Sequence, residues 1–347
     1  MAKVMAALSG GVDSAVAALL LQQAGHHCSG AIMLLHGPAD DSVSDAESIS
    51  RRLGIDFRVL DCQDIFRQYV MEDFVSSYEQ GHTPNPCIVC NRYLKFSHFL
   101  QEAEKAGCDA IATGHYARIR QDAETGRYLL LRAKDESKDQ SYFLYTLSQH
   151  QLARTYFPLG ELSKPEVRQI AEANGFVNAK RKDSQDICFV PDGDYLHFME
   201  QFRGKTYEKG AFLDLSGKAV GTHNGAVGYT LGQRKGLGIA LGAPVYVCQK
   251  DMQNNTVTVG PEENLFSTTL IAKDCNWFPF EALTKPITVS AKARSRHKEQ
   301  PATVTPLPDG RVEVVFDTPQ RALTTGQAVV FYNRETVIGG GMITEIK

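Results

Sequence analysis

The first two hundred residues alternate short apolar runs with amphipathic stretches, and this alternation limits the possible folds more than any other feature of the sequence. Short apolar runs are typical of buried strands, and the stretches between them have helical periodicity. A repeated strand–helix order requires a parallel sheet with helices on both faces, whose ligands bind at the carboxyl ends of the strands. The sequence predicts strands at 3–8, 28–34, 56–60 and 110–113, and helices at 14–24, 44–53, 65–78 and 95–106.

The pattern changes at about residue 205, where short strands separated by turn signals begin. The turn signals include Ser216-Gly217, Asn254-Asn255 and Asp309-Gly310. Segments 311–316 and 328–332 are rich in Val, Phe and Tyr, which suits a small closed barrel. We therefore expect an N-terminal nucleotide-binding α/β domain at 1–200, a central β-rich domain at 201–268 and a C-terminal β-barrel at 269–347.

The composition is that of a folded protein, with 43% hydrophobic and 22% charged residues. The net charge of −3 excludes a global positive field, so any nucleic-acid contact requires local basic patches. Residues 1–8 lack the long apolar stretch of a signal peptide, and no apolar run is long enough to span a membrane. We expect a cytoplasmic protein without a membrane partner. Its eight cysteines are then buried, metal-binding or reactive, because cytosolic thiols are kept reduced.

A glycine-containing loop, Ser9-Gly10-Gly11-Val12-Asp13-Ser14, joins the first predicted strand to the first predicted helix. Two glycines permit a tight turn and close backbone approach, and serine hydroxyls with a helix N-terminus offer donors to a phosphate anion. The loop matches neither a Walker loop nor the dinucleotide-binding G-x-G-x-x-G pattern. The alternative interpretation is a serine cap with a glycine turn that binds no ligand.

The S-G-G-x-D-S string resembles the PP-loop ATP pyrophosphatases, which cleave ATP between the α and β phosphates and transfer AMP to an oxygen. The resemblance implies that residues 7–14 cradle the pyrophosphate, that Asp13 helps to hold Mg²⁺, and that Met33 and Gly114 line the adenine pocket. The implied ATP-binding residues are Ala7, Leu8, Ser9, Gly10, Gly11, Val12, Asp13, Ser14, Met33 and Gly114.

Two cysteines stand in contexts that favour a reactive thiolate. Cys90 follows the segment 83–86, whose two prolines predict an exposed and rigid path, and precedes the helix expected to begin near Lys95. The positive end of that helix dipole would favour a thiolate at Cys90. Cys188 follows the basic run 180–182, which would act in the same way. Five others are interpreted as ordinary buried cysteines: Cys28, Cys62, Cys108, Cys248 and Cys275.

Further strings extend over essentially the whole chain. They are T-P-N-P-x-x-x-C-N-x-x-x-K-F at 83–96, A-T-G-H-Y at 112–116, K-D-Q-S-Y-F at 138–143, K-D-S-x-x-I-C-F at 182–189, G-Y-T-L-G-Q-R-K-G-L-G at 228–238, and V-V-F-Y at 329–332 with G-G-G at 339–341. In this order and spacing they closely resemble the tRNA-specific 2-thiouridylases.

The resemblance implies a chemistry and a set of site residues. ATP adenylates the C2 oxygen of the wobble uridine, and a sulfur-carrier or cysteine desulfurase protein supplies sulfur as a persulfide on Cys188. Cys90 is the second nucleophile, which releases the sulfur by forming a disulfide with Cys188. By the same resemblance the target base is contacted by Asn85, Pro86 and Cys87, and tRNA by Lys138, Asp139, Gln140, Arg294 and Ser295.

A basic segment in the C-terminal third provides a second argument for tRNA binding. Lys292, Arg294 and Arg296 are spaced by two residues, so on a strand all three would point from one face towards a phosphate backbone. The alternative is a charged, solvated strand edge.

Cys87 departs from the commonest family pattern, which often has aspartate at this position. Cys87, Cys90 and Cys188 are then three potential ligands of a [4Fe–4S] cluster, an alternative to the persulfide relay. Two other functions stay open at this point. One is a PP-loop synthetase that adenylates a different substrate, and the other is an ATP-gated RNA-binding protein without chemistry.

Overall fold

The structure of the chain is a computed structural model that describes residues 1–37, 41–176 and 187–347. The strands of the N-terminal part are β1 (Lys3–Ala7), β2 (His27–Leu34), β3 (Phe57–Asp61), β4 (Ala110–Ala112), β5 (Ala117–Gln121), β6 (Tyr128–Arg132) and β7 (Thr155–Tyr156). Five of them form a parallel sheet in the order β3-β2-β1-β4-β7. The predicted parallel α/β architecture is confirmed.

The helices around this sheet are α1 (Val12–Gln23), α2 (Asp41–Leu53), α3 (Gln63–Phe66), α4 (Glu72–Glu79), α5 (Pro86–Cys90), α6 (Phe99–Lys105), α7 (Gln149–Ala153), α8 (Lys164–Ala173) and α9 (Tyr195–Arg203). A π-helical stretch, Arg67–Met71, connects α3 to α4, and a second, Asn91–His98, connects α5 to α6. The helix predicted to begin near Lys95 therefore begins at Pro86. Proline suits the first helical position, where its missing N–H costs no hydrogen bond.

The central part forms a four-stranded sheet of β8 (Gly210–Leu213), β9 (Ala219–His223), β10 (Tyr246–Asp251) and β11 (Thr256–Gly260), in the order β10-β11-β8-β9. The last part contains β12 (Phe266–Trp277), β13 (Ile287–Lys292), β14 (Gln300–Pro306), β15 (Val312–Arg321), β16 (Ala328–Asn333) and β17 (Thr336–Ile346). These six strands are antiparallel, and pairing of β12 with β17 closes them into the predicted barrel.

The sequence did not predict that the N-terminal part extends the barrel sheet. The β5–β6 hairpin joins it at the pairing of Leu131 with Thr336. The Asn276 side chain of the barrel donates to Tyr145 O at 2.7 Å, and the Arg127 side chain donates in the other direction to Phe278 O at 2.7 Å. The barrel is therefore bonded directly to the nucleotide-binding part. Across the described ranges, no helix has the length and apolar character needed to cross a membrane.

Candidate active site

The predicted phosphate loop connects β1 to α1, and two glycines shape it. Gly10 has φ +69°, and a Cβ at this position would lie 2.8 Å from Ser42 O. Gly11 caps α1 and offers no side-chain oxygen to the first helical turn. The backbone can therefore come close to a ligand, and the amide groups of the first turn are not covered by a capping side chain. This geometry fits the phosphates of ATP.

Two serines stabilise the shape of the loop. The Ser14 hydroxyl donates to Gly11 O at 3.0 Å and accepts from Ser9 N at 3.1 Å. Leu8 and Val12 are 3% and 7% exposed and pack in the core. Any contact of these two residues with ATP would therefore use main-chain groups. Met33, predicted at the adenine, lies partly buried against two core clusters at the end of β2.

The Asp13 carboxylate is the centre of a polar cluster that sequence reasoning missed. Lys164 Nζ lies 2.8 and 2.7 Å from its two oxygens, and the Tyr116 hydroxyl donates to one of them at 2.9 Å. The Lys164 side chain is only 9% exposed. In the sequence Lys164 is the second residue of Ser163-Lys164-Pro165-Glu166, a capping-box signal for a helix start. That signal predicts the start of the helix, but it gives no indication that Lys164 contacts the phosphate loop.

The segment 113–116, the T-G-H-Y string, packs directly against the phosphate loop. A Cβ on Gly114 would lie 2.9 Å from both Asp13 C and Ser14 N, so only glycine permits this approach. Next to it, His115 Nδ1 lies 2.8 Å from Thr113 Oγ1. Burial, with a smaller effect of the Lys95 ammonium, holds the pKa of His115 well below its usual range. His115 is therefore neutral.

The predicted exposed path before Cys90 was wrong. Thr83 and Pro84 are buried, and Gln327 Nε2 donates to their carbonyl oxygens at 2.9 and 3.2 Å. Thr83 N donates to Thr325 O at 2.9 Å. The barrel therefore covers the chain that leads to Asn85, Pro86 and Cys87, the predicted contacts of the target base.

Cys90 does not precede a helix but lies inside one, at the end of α5, and is 7% exposed. The predicted thiolate stabilisation by a helix N-terminus was therefore wrong. Burial raises the pKa of Cys90, and the Lys95 ammonium opposes this shift. Cys87, in the first turn of α5, exposes part of its side chain to solvent, although the surrounding protein removes water from its thiol.

Lys95 lies in the π-helical stretch Asn91–His98, five residues after Cys90 along one continuous helix. Burial raises the pKa of the three thiols of Cys87, Cys90 and Cys188, and the Lys95 ammonium opposes the shift at each. Lys95 is thus a shared positive neighbour of the cysteines.

Cys188 lies near the other two thiols, as the proposed pairing with Cys90 requires. Part of its side chain reaches solvent, but the protein around it removes enough water to raise its pKa to about 11, and repulsion from Cys90 and Cys87 adds to the shift. The predicted stabilisation of a thiolate by the basic run 180–182 stays a prediction. This run lies outside the described residues. Cys188 is held in place by Phe189, whose ring packs 5.6 Å from Phe66 and 5.3 Å from Phe74.

Of the five cysteines interpreted as buried, Cys62 is fully buried and the other four are partly buried. Within the described ranges, no group of three His, Cys, Asp or Glu side chains is arranged to hold a metal ion. The cysteine site therefore does not fit an iron–sulfur cluster as it stands. Mg²⁺ fits better, because Mg²⁺ bound with ATP takes most of its ligands from phosphates and water and needs one or two carboxylates. Asp13 can supply one.

Comparison with known proteins places this site in a family. The family described as "tRNA methyl transferase HUP domain" matches residues 2–192, "tRNA methyl transferase PRC-barrel domain" matches 196–261, and "Aminomethyltransferase beta-barrel domain" matches 267–343. The tRNA-specific 2-thiouridylase MnmA of Clostridioides difficile (strain 630) is 44% identical over 98% of both chains. That of Acetivibrio thermocellus is 46% identical over 98% of this chain and 99% of the relative, and that of Treponema denticola 45% over 99% and 98%.

The chain belongs to the tRNA-specific 2-thiouridylase family. The relatives align end to end with it, so the alignment includes the cysteine site as well as the phosphate loop. The methyltransferase wording of two domain descriptions does not match the names of these full-length relatives, which are thiouridylases.

Residues 138–140 of this thiouridylase-family chain are predicted to contact tRNA. Polar side-chain atoms of Asp139 and Gln140 already form hydrogen bonds within the protein. The Asp139 carboxylate accepts from Ala133 N at 3.0 Å and from the Ser141 hydroxyl at 2.7 Å. Gln140 Oε1 accepts from Tyr116 N at 2.9 Å. Asp139 and Gln140 thus support the turn beside the phosphate loop. Contact of Lys138, Asp139 and Gln140 with tRNA stays a prediction.

The predicted row of three basic side chains on one strand face was wrong. The strand β13 ends at Lys292, and Arg294 and Ser295 lie in the following turn. The Arg294 guanidinium turns inward, where it donates to Thr324 Oγ1 and to Leu231 O. Arg296 is exposed, while Lys292 is only partly accessible. A contact of these residues with tRNA stays a prediction.

We predict that Lys164→Met weakens ATP binding by about tenfold or more, because it removes a positive charge beside the phosphates and leaves Asp13 without its ammonium partner. The free energy of unfolding should fall by about 1–2 kcal/mol, less than for a fully buried pair since Asp13 is partly exposed. Equilibrium ATP titration and thermal unfolding measure both effects. Lys164→Arg should restore much of the binding, and Lys134→Met, on a neighbouring turn, should change neither. Unchanged ATP affinity in Lys164→Met would contradict the assignment.

We also predict that the thiolates become more reactive as the pH rises towards the raised pKa of Cys188, about 11. Lys95→Met removes the charge that opposes the shift, so it should slow alkylation of Cys87, Cys90 and Cys188 severalfold at pH 8. Mass spectrometry of the alkylated peptides separates the three cysteines. Lys105→Met, at the end of α6, serves as the control. Equal alkylation rates in Lys95→Met and the unmodified protein would remove Lys95 from the site.

Proposed function

We propose that the chain catalyses ATP-dependent 2-thiolation of the wobble uridine, position 34, of tRNA. The observation that carries this proposal is the segment 113–116, which packs against the phosphate loop on one side and, through His115, against Phe96 in the helical stretch of Lys95 on the other. Gly114 and Tyr116 contact the phosphate loop at Asp13, while His115 lies within the field of Lys95 beside the cysteines. Four residues therefore join the phosphate loop to the helical stretch that follows Cys90, an arrangement that supports a reaction in two steps. The similarity to the tRNA-specific 2-thiouridylases of Clostridioides difficile and Acetivibrio thermocellus supports the same substrate and product.

The first half-reaction activates the base. The O2 atom of the everted uridine attacks the α-phosphorus of ATP, a new P–O bond forms, and the bond to the β-phosphate breaks to release pyrophosphate. The amide groups of the loop and Lys164 stabilise the phosphate charge, and Asp13 would hold Mg²⁺, which would supply further positive charge beside the phosphates. Asn85, Pro86 and Cys87 are the proposed contacts of the base.

The second half-reaction transfers sulfur. A sulfur-carrier or cysteine desulfurase protein first loads Cys188 as a persulfide. The terminal sulfur attacks C2 of the adenylated base and AMP departs with the former O2 atom. The Cys90 thiolate attacks the Cys188 sulfur, so the S–S bond to the transferred sulfur breaks and its electron pair stays with the thiouridine. The resulting Cys90–Cys188 disulfide requires two electrons from a cellular thiol reductant, which agrees with a cytoplasmic reaction.

The half-reactions can be separated by substitution. Asp13→Asn should abolish both tRNA adenylation and thiolation, because it weakens the metal and loop geometry. Cys188→Ala should retain adenylation, measured as tRNA-dependent pyrophosphate release, and lose thiolation, measured by mass spectrometry of wobble nucleosides. Cys28→Ala, near the amino-terminal end of β2 and away from the predicted site, is the matched control. Full thiolation by Cys188→Ala would exclude the sulfur-carrier role.

The same assay tests the other functions. A PP-loop synthetase with a different substrate would bind ATP but release no pyrophosphate in response to tRNA, because AMP is transferred only to its own acceptor. An RNA-binding protein without chemistry would bind tRNA and likewise release none.

A second prediction distinguishes the relay from an iron–sulfur route on Cys87, Cys90 and Cys188. We expect anaerobically purified enzyme to thiolate tRNA without bound iron, and Cys87→Asp to retain activity, because the relay uses only Cys90 and Cys188. Iron and sulfide analysis with parallel activity measurement provides the test. Stoichiometric iron and sulfide that are lost together with activity in Cys87→Ala would favour the cluster.

A further inference from the structure

A cleft of about 420 Å³ lies where the three parts of the chain meet. The end of the α4 segment contributes Gln80, Gly81 and His82, the central part contributes Leu231 and the segment 248–253, and the barrel contributes Thr325. None of the residues assigned to ATP, to the target base or to sulfur transfer lines this cleft. Its function is therefore separate from the chemistry described above.

The wall of the cleft contains a lysine amine without a hydrogen-bond partner. Lys250, on β10, has a buried Nζ, and no acceptor in the described part of the chain bonds to it. Its nearest aromatic neighbour is Tyr78, whose ring centre lies 5.6 Å away. Burial lowers the pKa of Lys250 to about 8, so the amine is still mostly protonated at neutral pH. A buried ammonium without an acceptor is costly for the ligand-free protein.

The adjacent acidic residue does not compensate this charge. The Asp251 carboxylate accepts from Gln253 N at 2.9 Å and from Asn254 N at 3.0 Å, and the Asn254 side chain donates to it at 2.7 Å. These bonds hold the carboxylate in its own turn. Lys250 therefore has a formal charge for which the cleft supplies no partner.

Other groups around the cleft are also donors or cations. Arg294 donates to Leu231 O, and its Nε is buried without a partner among the described residues. His82 Nδ1 lies 2.8 Å from Thr325 Oγ1, and burial followed by repulsion from Lys250 lowers its pKa. Of these groups, His82 and Lys250 line the cleft, and they lie close enough for their charges to interact.

We propose that this cleft binds a phosphate group through Lys250, and that in the working enzyme the group belongs to the tRNA backbone. A phosphate oxygen would supply the acceptor that the ammonium lacks, after rotation of the flexible lysine side chain. The tRNA part of this inference rests on the proposed function, whereas phosphate binding itself does not. Free phosphate has the same chemistry and is the second source to be distinguished.

Binding in this cleft would act on the active-site segment through the chain itself. His82 is followed by Thr83 and Pro84, which the barrel holds through Thr325 and Gln327. A ligand that draws the three parts together would therefore fix the segment that leads to Cys87.

The test compares Lys250→Met, Lys250→Arg and a control, Lys218→Met, in an exposed turn of the same domain. Lys250→Met should raise the Tm of the tRNA-free protein, because it removes an uncompensated buried charge, and weaken tRNA binding severalfold. The slope of log Kd against log salt should fall by about 0.7–0.9, the value of one phosphate contact. Lys250→Arg should keep most of the tRNA affinity, and Lys218→Met should resemble the unmodified protein.

Inorganic phosphate at constant ionic strength provides the second arm. The phosphate loop binds it in both proteins, so the cleft is reported by the difference between the phosphate-induced rise in Tm of the unmodified protein and that of Lys250→Met. Loss of both phosphate stabilisation and tRNA affinity supports a general phosphate site, and loss of tRNA affinity alone supports an RNA backbone site. Unchanged values in both arms overturn the inference. An enzyme that never thiolates tRNA, yet loses phosphate stabilisation in Lys250→Met, would contradict the proposed function and leave this site standing.

Discussion

The contact of Asp13 with Lys164 and Tyr116 joins parts of the chain on which the whole site depends. These residues are 151 and 103 positions apart in the sequence, and their atoms lie 2.7–2.9 Å from one carboxylate. The contact fixes the phosphate loop to the start of α8 and to the turn after β4. Gly114 makes the approach possible, since a Cβ would overlap the loop backbone. Because His115 lies between Gly114 and Tyr116, the same contact sets the distance between the loop and the cysteine site.

The surroundings of the cysteine thiols keep them protonated in the ligand-free protein. Cys90 is buried, and the pKa values of the cysteine thiols are raised, so at neutral pH they are protonated and poorly nucleophilic. Lys95, placed by the π-helical stretch, reduces this effect without removing it. Premature oxidation of two adjacent thiols is thereby slowed. Arrival of a substrate with its own charges and solvent changes the surroundings that raise these pKa values.

The sequence predicted features that local periodicity and composition determine. The parallel sheet, the phosphate loop between β1 and α1, and the closed barrel follow from patterns within about fifteen residues. The features that the sequence did not predict depend mainly on contacts between residues that are far apart in the sequence. Arg294 has the spacing of a strand residue but turns towards Leu231 and Thr324. Lys164 was missed because its partner lies 151 residues earlier. The start of α5 was missed because proline, read as a loop residue, is here the first residue of a helix.

The barrel positions part of the chain near the cysteines, in addition to any contact that it makes with tRNA. Gln327 and Thr325 bond to Thr83 and Pro84, and a Cβ at Gly326 would lie 3.0 Å from the His82 side chain. The segment that precedes Cys87 therefore has its position set by the barrel as much as by its own helix. A displacement of the barrel by bound RNA would be transmitted through these bonds to α5, and from there to Cys90. In the proposed reaction, alignment of the base with the thiols is in this way a property of the assembled chain, which no isolated domain would retain.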